Sequence, residues 1–593
     1  MLTMEASMDD PRPLSPDDGV RLLRRAMMLT ALGLLAAILA KGFLWPPDDP
    51  GRIWITWYFF QQQDVPMLVL GALALLALPF APGIRLPPLP SPGRRLLLVI
   101  LLALAVFVGG AIGAHFLFEG FDLSRDEFLA VFDAKIFSTG RLFASLPPEW
   151  RPFADALQPQ YMSALKGGEQ VVSFYLPLNA MLRTLFDIFA SPGIVNPLLA
   201  AGAVVVLYGL ARDVWPSRPD AALVVAILLA TSSQLLFMSM TSYAMTGHLF
   251  LNLFWLRCFL KGRVWGHGCA LAAAFLACGL HQFVFHPLFA APFVARLWSP
   301  GRRRLCILYA LGYGLIILFW GSYLRLALLW EGVPPPVGEG TTDVGAAYLI
   351  ARILEHLERF EPLASMPIFL NLLRLIAWQN LLLFPLCVLA WRAIRDDEGL
   401  ASQLAAGIAL TLLAMFVLSP FQGHGWGYRY LHGLLGSFCL LAGYGWIRAT
   451  AGRDAAGLRS AVGVFAWGSL FAALIAIPMH VFQVRALIGP SRAADRAIAS
   501  ADADVVLVDD DGVHHGHDFV RNDPFLRNRP LTLYVWYLAP GQLETLCGRY
   551  RLALFGREHI DRFGLFGTSE PMTARSRLLR ETLGNLNCAP AMQ

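Results

Sequence analysis

Long apolar runs separated by short polar segments make up most of the chain. Runs long enough to cross a bilayer lie near residues 26–45, 66–83, 96–118, 194–211, 219–238, 243–260, 264–280, 282–298, 305–325, 368–391, 400–419, 430–447 and 460–482. With 56% hydrophobic and 15% charged residues, the 593-residue chain is far more apolar than a soluble protein of its size. The pattern predicts a polytopic α-helical membrane protein with about 13 transmembrane helices.

The segment 174–189 decides the predicted topology. It is apolar but short, and it carries Asn179, Arg183 and Asp187. If it lies in the plane of the membrane, the later clusters of lysine and arginine fall on the same side as the arginines of 21–25; if it crosses, they fall on the other side. Because cytoplasmic loops are enriched in basic residues, we predict an in-plane helix here, a cytoplasmic N-terminus and an extracytoplasmic C-terminus.

These assignments divide the chain into four parts. We predict a cytoplasmic tail (1–25), two additional N-terminal transmembrane helices (26–95), a transmembrane core (96–483) with a first extracytoplasmic loop at 119–193, and an extracytoplasmic α/β domain (484–593). A second in-plane helix is expected in the loop 327–366, where the segment DVGAAYLIARILEHLERF has an apolar face formed by Leu349, Ile350, Ile353, Leu354 and Leu357. That helix either seats the loop on lipid or acts as a lid over substrate.

The first extracytoplasmic loop begins with FDLSRDEFLAVFDAKIFSTG, residues 121–140. Its apolar residues recur at helical spacing, which predicts a helix along the bilayer surface. Ser124 and Glu127 fit a capping box, S-x-x-E, in which Asp126 is only a favourable charge near the helix N-terminus. Alternatively, Asp126 is a general base, a role that requires a carboxylate in a partly dry site near the substrate hydroxyl. Glu127 is then either a second catalytic residue that assists Asp126 or the cap of the helix. The residues by themselves leave both roles open.

The pair Asp126 and Glu127 at the start of this loop, followed by Ala134, Lys135 and Gly140, resembles the GT-C glycosyltransferases. The pattern is most similar to protein O-mannosyltransferases and to the aminoarabinose transferases that modify lipid A, and the likeness in general layout covers residues 95–480. The resemblance implies a GT-C-like core, a catalytic acidic residue in the loop, and a sugar donor carried on a polyprenyl phosphate or diphosphate. It also implies that the sugar is transferred outside the cytoplasm and makes Lys135 a candidate substrate-binding residue.

Such a transfer needs a base, positive charge on the leaving phosphate and a dry groove for the lipid. Basic side chains predicted near the outer boundary are candidates for substrate binding: Arg183, Arg325, Arg374, His248, His281, His286 and His424. An arginine there either snorkels to the headgroups or, within a helix bundle, marks a functional site. Each histidine is either a satisfied interfacial residue or a ligand of phosphate or of a divalent metal. Since no spacing such as H-E-x-x-H is present, phosphate contact is the preferred interpretation and a divalent metal stays open.

The late loop with the sequence GHGWGYRY (423–430) is dense in glycine, aromatic and basic residues. Its glycines allow a close approach of the backbone to substrate, Trp426 and Tyr428 offer flat faces for a sugar, and Arg429 offers a bidentate donor to phosphate. The alternative is an interfacial aromatic belt with a snorkelling arginine.

The C-terminal region reads as a small α/β domain. ADVVLVDDDG, LTLYVWYL and YRLALFG predict strands, and GQLETLCGRY predicts a helix. The acids at 509–511 with His514, His515 and His517 are interpreted as a solvated turn rather than a metal site. Cys547 and Cys588 form a disulfide if this region is extracytoplasmic.

The leading hypothesis is an integral-membrane glycosyltransferase of the plasma membrane, which is a bacterial inner membrane if the composition indicates a bacterium. Its partners are membrane lipids, a lipid-linked sugar donor and a protein, lipid or glycan acceptor. The net charge of +5 is spread over short clusters between apolar runs, which excludes a nucleic-acid-binding face. The alternatives are a transporter or flippase of a lipid-linked saccharide and an inactive subunit whose outer domain binds a partner.

Overall fold

The computed structural model describes residues 16–44, 54–84, 91–157, 162–165, 168–332, 354, 366–396, 399–418, 421–452, 455–568 and 570–588. The second predicted in-plane helix, at 343–360, lies outside these residues except for Leu354.

The described chain is mainly helical. In chain order the α-helices are α1 (Pro16–Leu44), α2 (Trp54–Tyr58), α3 (Val65–Ala77), α4 (Pro92–Phe116), α5 (Arg125–Phe137), α6 (Ala154–Leu157), α7 (Leu178–Asp187), α8 (Val195–Val214), α9 (Pro219–Ala230), α10 (Ser233–Ser239), α11 (Met245–Leu260), α12 (Val264–Cys278), α13 (Phe285–Ala295), α14 (Arg303–Gly321), α15 (Tyr323–Trp330), α16 (Met366–Ala377), α17 (Leu383–Leu389), α18 (Trp391–Asp396), α19 (Leu400–Leu418), α20 (Leu435–Thr450), α21 (Ala455–Phe471), α22 (Ile477–Ala499), α23 (Pro540–Arg549), α24 (Ile560–Phe563) and α25 (Ala574–Asn585). The strands are β1 (Ala144–Ser145), β2 (Met162–Leu165), β3 (Gln170–Ser173), β4 (Val505–Val508), β5 (Leu531–Tyr534) and β6 (Leu552–Phe555).

Fewer helices than expected are long and apolar enough to cross a membrane by themselves. Among the described residues there are 7, namely Arg21–Lys41, Ile55–Phe80, Pro92–Phe116, Pro192–Val214, Arg303–Gly321, Leu400–Leu418 and Ala456–Ala499. The pair α9 and α10, bent by 54°, makes up to 8. The predicted run 368–391 is divided between α16 and α17, with the polar Gln379 and Asn380 at the break. The chain is therefore an α-helical membrane protein, and the count of thirteen spans stays a prediction.

The described residues form two compact units. The first, here called the membrane unit, falls within Met1–Leu117, Gly193–Trp320 and Ala347–Gln483. The second, the α/β unit, falls within Phe118–Pro192, Gly321–Ala346 and Val484–Gln593. The segment predicted as the first extracytoplasmic loop thus belongs to the same unit as the C-terminal region, although the sequence had indicated two separate parts.

One hydrophobic core joins these two distant segments of the α/β unit. Phe132 and Ile136 of α5, together with Trp150, belong to the same buried cluster as Val505 and Leu533 of the C-terminal strands. Since burial of apolar surface is the main favourable contribution to folding, neither segment can complete this core without the other.

The unit contains two small sheets. In the loop, β1 and β2 both pair with β3 in antiparallel register. In the C-terminal region, β5 and β6 flank β4 and pair with it in parallel. The three C-terminal strands β4, β5 and β6 lie within the segments for which the sequence predicted strands, and helix α23, between β5 and β6, overlaps the segment predicted as a helix. Strand β4 is fully buried, which explains its continuous run of apolar residues.

Helix α7, in the segment predicted to lie in the membrane plane, has an inverted amphipathic pattern. It has 10 residues, too few to cross a bilayer. Its buried face carries Asn179 and Arg183, whereas Met181 and Leu185 are exposed. A helix with an apolar exposed face is suited to lie on lipid.

Cys547 and Cys588 form a disulfide, with their Cα atoms 5.7 Å apart. Both residues pack against the shared core of the α/β unit. The predicted pairing is therefore confirmed.

We expect the double variant Cys547→Ser/Cys588→Ser to unfold more easily than the wild type. The bridge spans 41 residues, and a loop of this length stabilises a domain by about 4 kcal/mol through the unfolded state. The midpoint of thermal unfolding in detergent measures the effect, with Cys269→Ser, at a free cysteine of the membrane unit, as the control. Alkylation of both cysteines without prior reduction would contradict the disulfide.

Candidate functional site

The capping box predicted at the start of α5 is present. The Glu127 backbone N–H donates to Ser124 Oγ at 3.4 Å, and the Ser124 backbone N–H donates to Glu127 Oε2 at 3.1 Å. Two backbone donors at the helix N-terminus are satisfied in this way. The structural role weighed for Glu127 is thus confirmed.

Glu127 is a buried acid with an unusual protonation equilibrium. Its side chain is almost completely buried, and among the described residues its Oε1 atom has no hydrogen-bond partner. Burial, with repulsion from Asp122, raises the pKa of Glu127 to about 8. A carboxyl in this state is mostly protonated at neutral pH, which suits a cap better than a base.

Asp126, the neighbouring acid, lies in a different environment. It is half-buried, and its Oδ1 atom accepts a hydrogen bond from the Tyr175 hydroxyl. Tyr175 comes directly after β3, and its own backbone N–H donates to Ser173 Oγ at 3.0 Å. The phenol thus orients a carboxylate that still has exposed surface, as a general base requires.

Arg183 is a buried cation that interacts electrostatically with Asp122 and Glu127. It is buried on α7, its Nη1 donates to the carbonyl of Pro192 at 3.3 Å, and its Nε and Nη2 have no hydrogen-bond partner among the described residues. Burial lowers the pKa of Arg183 to about 10, while the charges of Asp122 and Glu127 act in the opposite direction. The guanidinium therefore stays charged and keeps donors available for an anion or a hydroxyl.

The C-terminal segment of the same unit holds α5 in place. Arg125 is buried and donates from Nη1 to the carbonyl of Val520 at 2.8 Å and from Nη2 to that of His517 at 2.6 Å. Arg521 donates to the carbonyl of Asp122. Two arginines thus fix the N-terminal turn of the helix that carries Asp126.

Sequence reasoning missed Tyr175, Arg125 and Arg521. Tyr175 lies 49 residues from Asp126, and no periodic pattern connects them. Arg125 is adjacent to the Asp-Glu pair, and its position in the motif was the only available signal.

Two other residues predicted to bind substrate, Lys135 and Arg325, lie on the surface of the α/β unit. Lys135 is 54% exposed and pairs with Asp523 at 3.3 Å. Arg325, on α15, is exposed. Exposed side chains of this kind contribute little binding energy by themselves.

In the membrane unit, both terminal nitrogens of Arg374 have protein partners, whereas its Nε has no hydrogen-bond partner among the described residues. Its Nη1 pairs with Asp64 Oδ1 at 2.8 Å, and its Nη2 donates to Gln63 Oε1 at 2.9 Å and to the carbonyl of Gly425 at 2.8 Å. Its guanidinium carbon also lies 3.9 Å from the centre of the Phe59 ring. These contacts favour a structural ion pair over the expected phosphate contact.

The loop with the sequence GHGWGYRY also differs from expectation. Trp426 and Tyr428 are completely buried, so neither ring offers a face to a sugar and their predicted stacking role is wrong. Gln234 fixes the backbone here: it donates to the carbonyl of Tyr428 at 2.8 Å and accepts from the Tyr428 N–H at 3.3 Å. Gly427 has φ +70° and lies so close to Gln234 that a side chain would collide.

Arg429 lines a small cavity in the membrane unit. Other residues that line it include Asn252, Thr411 and His248. His248 is buried, and neither of its ring nitrogens has a hydrogen-bond partner among the described residues. A cavity with one arginine and a histidine whose donor is unused can take an anionic or hydroxyl-rich group.

The other histidines have different surroundings. His286 contacts Asn252 Oδ1 at 2.7 Å and the Tyr313 hydroxyl at 2.9 Å, as a satisfied buried histidine does. His281 and His424 are half-buried. Within either unit taken by itself, the described residues bring together no three histidine, cysteine, aspartate or glutamate ligands close enough to share one ion.

The acids after β4 have protein partners. Asp509 accepts from the Ser576 hydroxyl at 2.5 Å, Asp510 accepts from Tyr534 and Trp536 at 2.9 and 2.6 Å, and Asp511 lies 3.7 Å from Arg557. Carboxylates engaged in this way serve the packing of the domain.

These features define the class of the protein: an α-helical membrane protein in which a mixed α/β unit presents an oriented carboxylate. No family model matches the chain, and no curated protein matches its sequence. Among solved structures, it is similar to apo ArnT from Cupriavidus metallidurans, with 12% identity, a TM-score of 0.44, and 78% of this chain and 92% of that chain covered. It is also similar to ArnT from the same organism bound to undecaprenyl phosphate, with 14% identity, a TM-score of 0.48 and coverage of 74% and 86%. Similarity at this level assigns no role to individual residues.

We expect Glu127→Gln to remove part of the pH dependence of stability. Because the pKa of Glu127 is raised in the folded protein, its contribution to stability is complete below its ordinary value of 4.5 and is lost as the pH rises through about 8. Glutamine preserves the cap but cannot ionise. The unfolding midpoint of the wild type should therefore fall more steeply towards pH 8 than that of the variant, as measured by scanning fluorimetry. Equal slopes would contradict the buried acid.

Proposed function

We propose that the protein is an integral-membrane glycosyltransferase. In this proposal it moves a sugar from a polyprenyl-phosphate-type lipid donor to an acceptor hydroxyl on the extracytoplasmic side of the membrane. The single observation that carries the proposal is Asp126: a half-buried carboxylate, oriented by the Tyr175 hydroxyl, at the start of a helix whose first turn is fixed by the buried Arg125 and the half-buried Arg521. The resemblance of this Asp-Glu loop to GT-C glycosyltransferases gives the reaction class.

Asp126 acts as the base. It accepts the proton of the acceptor hydroxyl while the oxygen attacks the anomeric carbon, and the bond from that carbon to the phosphate oxygen breaks with its electron pair on the phosphate. Glu127 holds the helix turn. Arg183 keeps two donor atoms available and is assigned to a hydroxyl or an anionic group of the substrate.

The membrane unit by itself offers a binding site for the phosphate of a polyprenyl phosphate, the cavity lined by Arg429 and His248. There Arg429 supplies positive charge and His248 a neutral hydrogen-bond donor.

The proposed orientation has a cytoplasmic N-terminus and a periplasmic C-terminal domain in a bacterial inner membrane. The disulfide between Cys547 and Cys588 supports it, because such bonds persist in oxidising compartments. The distribution of basic clusters agrees with it.

A transporter of the same lipid-linked saccharide is the second candidate. The bend of 54° between α9 and α10 and the buried pair of Asp64 with Arg374 favour it, since broken helices and buried charges are frequent in transporters. Such a protein would move the lipid-linked sugar across proteoliposomes without releasing lipid phosphate.

We expect Asp126→Asn to reduce the transfer rate by at least about 100-fold, because asparagine keeps the shape and cannot accept the proton. The measurement is release of polyprenyl phosphate from a synthetic polyprenyl-phosphate sugar by the purified protein. Asp187→Asn, at an exposed acid of the α/β unit, is the matched control and should transfer at the wild-type rate. Full activity of the Asp126 variant would contradict the assignment of Asp126 as the base. If the wild type released no polyprenyl phosphate from any donor, the proposal that the protein is a glycosyltransferase would be rejected.

A further inference from the structure

The guanidinium of Arg374 connects three separate segments of the membrane unit. Two of its contacts reach Gln63 and Asp64, at the end of a π-helical turn (Phe59–Asp64) between α2 and α3. The third reaches the carbonyl of Gly425. The carboxylate partner thus comes from the predicted additional N-terminal helices (26–95), outside the part of the chain that resembles the glycosyltransferase core.

Asp64 is the group that makes burial of this arginine possible. The side chains of Asp64 and Arg374 are 2% and 1% exposed, and an uncompensated charge at such a place is very costly. Asp64 Oδ1 also accepts from Trp378 Nε1 at 3.1 Å. If Asp64 lost its charge, the guanidinium of Arg374 would no longer be fixed by an ion pair. Its hydrogen bond to the Gly425 carbonyl would then be weaker.

Gly425 in turn lies directly against the side chain of Arg429. A Cβ atom added at Gly425 would be 3.2 Å from the Cδ of Arg429 and 3.6 Å from its Cβ and Cγ. A shift of the Gly425 backbone is therefore expected to move the stem of Arg429, a residue that lines the same cavity as His248.

The rest of this loop is fixed by other groups. The Tyr243 hydroxyl donates to the carbonyl of His424 at 3.1 Å, and Gln422 accepts from the Arg429 N–H at 2.9 Å and donates to the carbonyl of Gly427 at 3.1 Å. A loop whose backbone is held at successive residues behaves as a preorganised platform, because its ordering cost is met before a ligand binds. Within it, Gly425 is the point to which Arg374 is bonded.

We propose that Asp64 and Arg374 are positioning residues for Arg429. The N-terminal helices supply the carboxylate, the carboxylate holds Arg374 on the Gly425 carbonyl, and the Gly425 backbone sets the position of the arginine at the cavity. The inference rests on the proposed function only in naming a lipid phosphate as the ligand of that cavity. It gives Arg374 a role other than direct phosphate contact and makes the N-terminal helices part of the binding machinery.

The first test needs no ligand. In Asp64→Asn, the backbone amides of Tyr428 and Arg429 should exchange with deuterium at least about tenfold faster than in the wild type, because the contact that holds Gly425 is weakened. Asp220→Asn is the matched control: Asp220 also pairs with an arginine of the membrane unit, Arg218, at 2.7 Å, and it accepts a hydrogen bond from Trp446, which lies outside this loop. Unchanged exchange in the Asp64 variant would overturn the proposal whatever the protein binds.

The second test measures the dissociation constant of a synthetic polyprenyl phosphate in detergent. Asp64→Asn should raise it about tenfold, and Arg429→Ala should raise it at least as much. If Asp64 acts through Arg429, adding Asp64→Asn to the Arg429→Ala protein should have no further effect. Additive effects would overturn the positioning role, whereas a wild type that binds no polyprenyl phosphate would overturn the proposed donor and leave the exchange result to decide.

Arg374→Lys keeps the proposal testable if Asp64→Asn lowers the yield of folded protein. Lysine preserves the positive charge for Asp64 but cannot reproduce the fork that bonds Asp64, Gln63 and Gly425 together. The same increases in loop exchange and dissociation constant are expected. A lysine variant with wild-type values of both would contradict the proposal.

Discussion

The membrane unit depends on one constraint: a charge that leaves water must find a partner of opposite charge and fill its hydrogen bonds. Asp64 and Arg374 meet most of it together with Gln63, Trp378 and the Gly425 carbonyl, and only the Nε atom of Arg374 has no hydrogen-bond partner among the described residues in this arrangement. Because so many groups converge on one guanidinium, the N-terminal helices, α16 and the glycine-rich loop cannot shift independently. The ion pair is thus both a packing element and the reason that a loop rich in glycine has a defined shape.

The α/β unit also meets this constraint only in part. The terminal nitrogens of Arg125 donate to carbonyl groups of the C-terminal segment, while its Nε has no hydrogen-bond partner among the described residues, and the capping box satisfies one of the two oxygens of Glu127. Arg183 keeps two buried nitrogen atoms without hydrogen bonds among the described residues. Unused polar groups in a stable core are typical of places where a ligand completes the set. Asp126 lies between Arg125 and Glu127 in the sequence and is half-buried, so its carboxylate keeps the exposed surface that a general base needs to reach a substrate.

The same physical reasoning separates the candidate residues. His286 uses both ring nitrogens and Arg374 both terminal nitrogens in bonds to the protein. Trp426 and Tyr428 are buried, so these four residues contribute to the structure of the site. His248 and Arg429 face a cavity, and Asp126 keeps exposed surface. The structural residues differ from the candidate substrate-binding residues in where their side chains form hydrogen bonds. Residue type does not separate them, since both groups contain an arginine and a histidine.

Hydropathy, alternation and capping depend on neighbours within a few residues. The amino-acid sequence was therefore enough to predict the membrane character, the strands and helix of the C-terminal region, and the cap formed by Ser124 and Glu127. It also suggested the pairing of Cys547 with Cys588, the two cysteines of the polar region. Three features became visible only in the folded chain: the loop of Asp126 shares a core with the C-terminal strands, Tyr175 orients Asp126, and Asp64 is the partner of Arg374. These contacts join residues from about fifty to several hundred positions apart, and local patterns carry no information about them because they depend on how the whole chain packs.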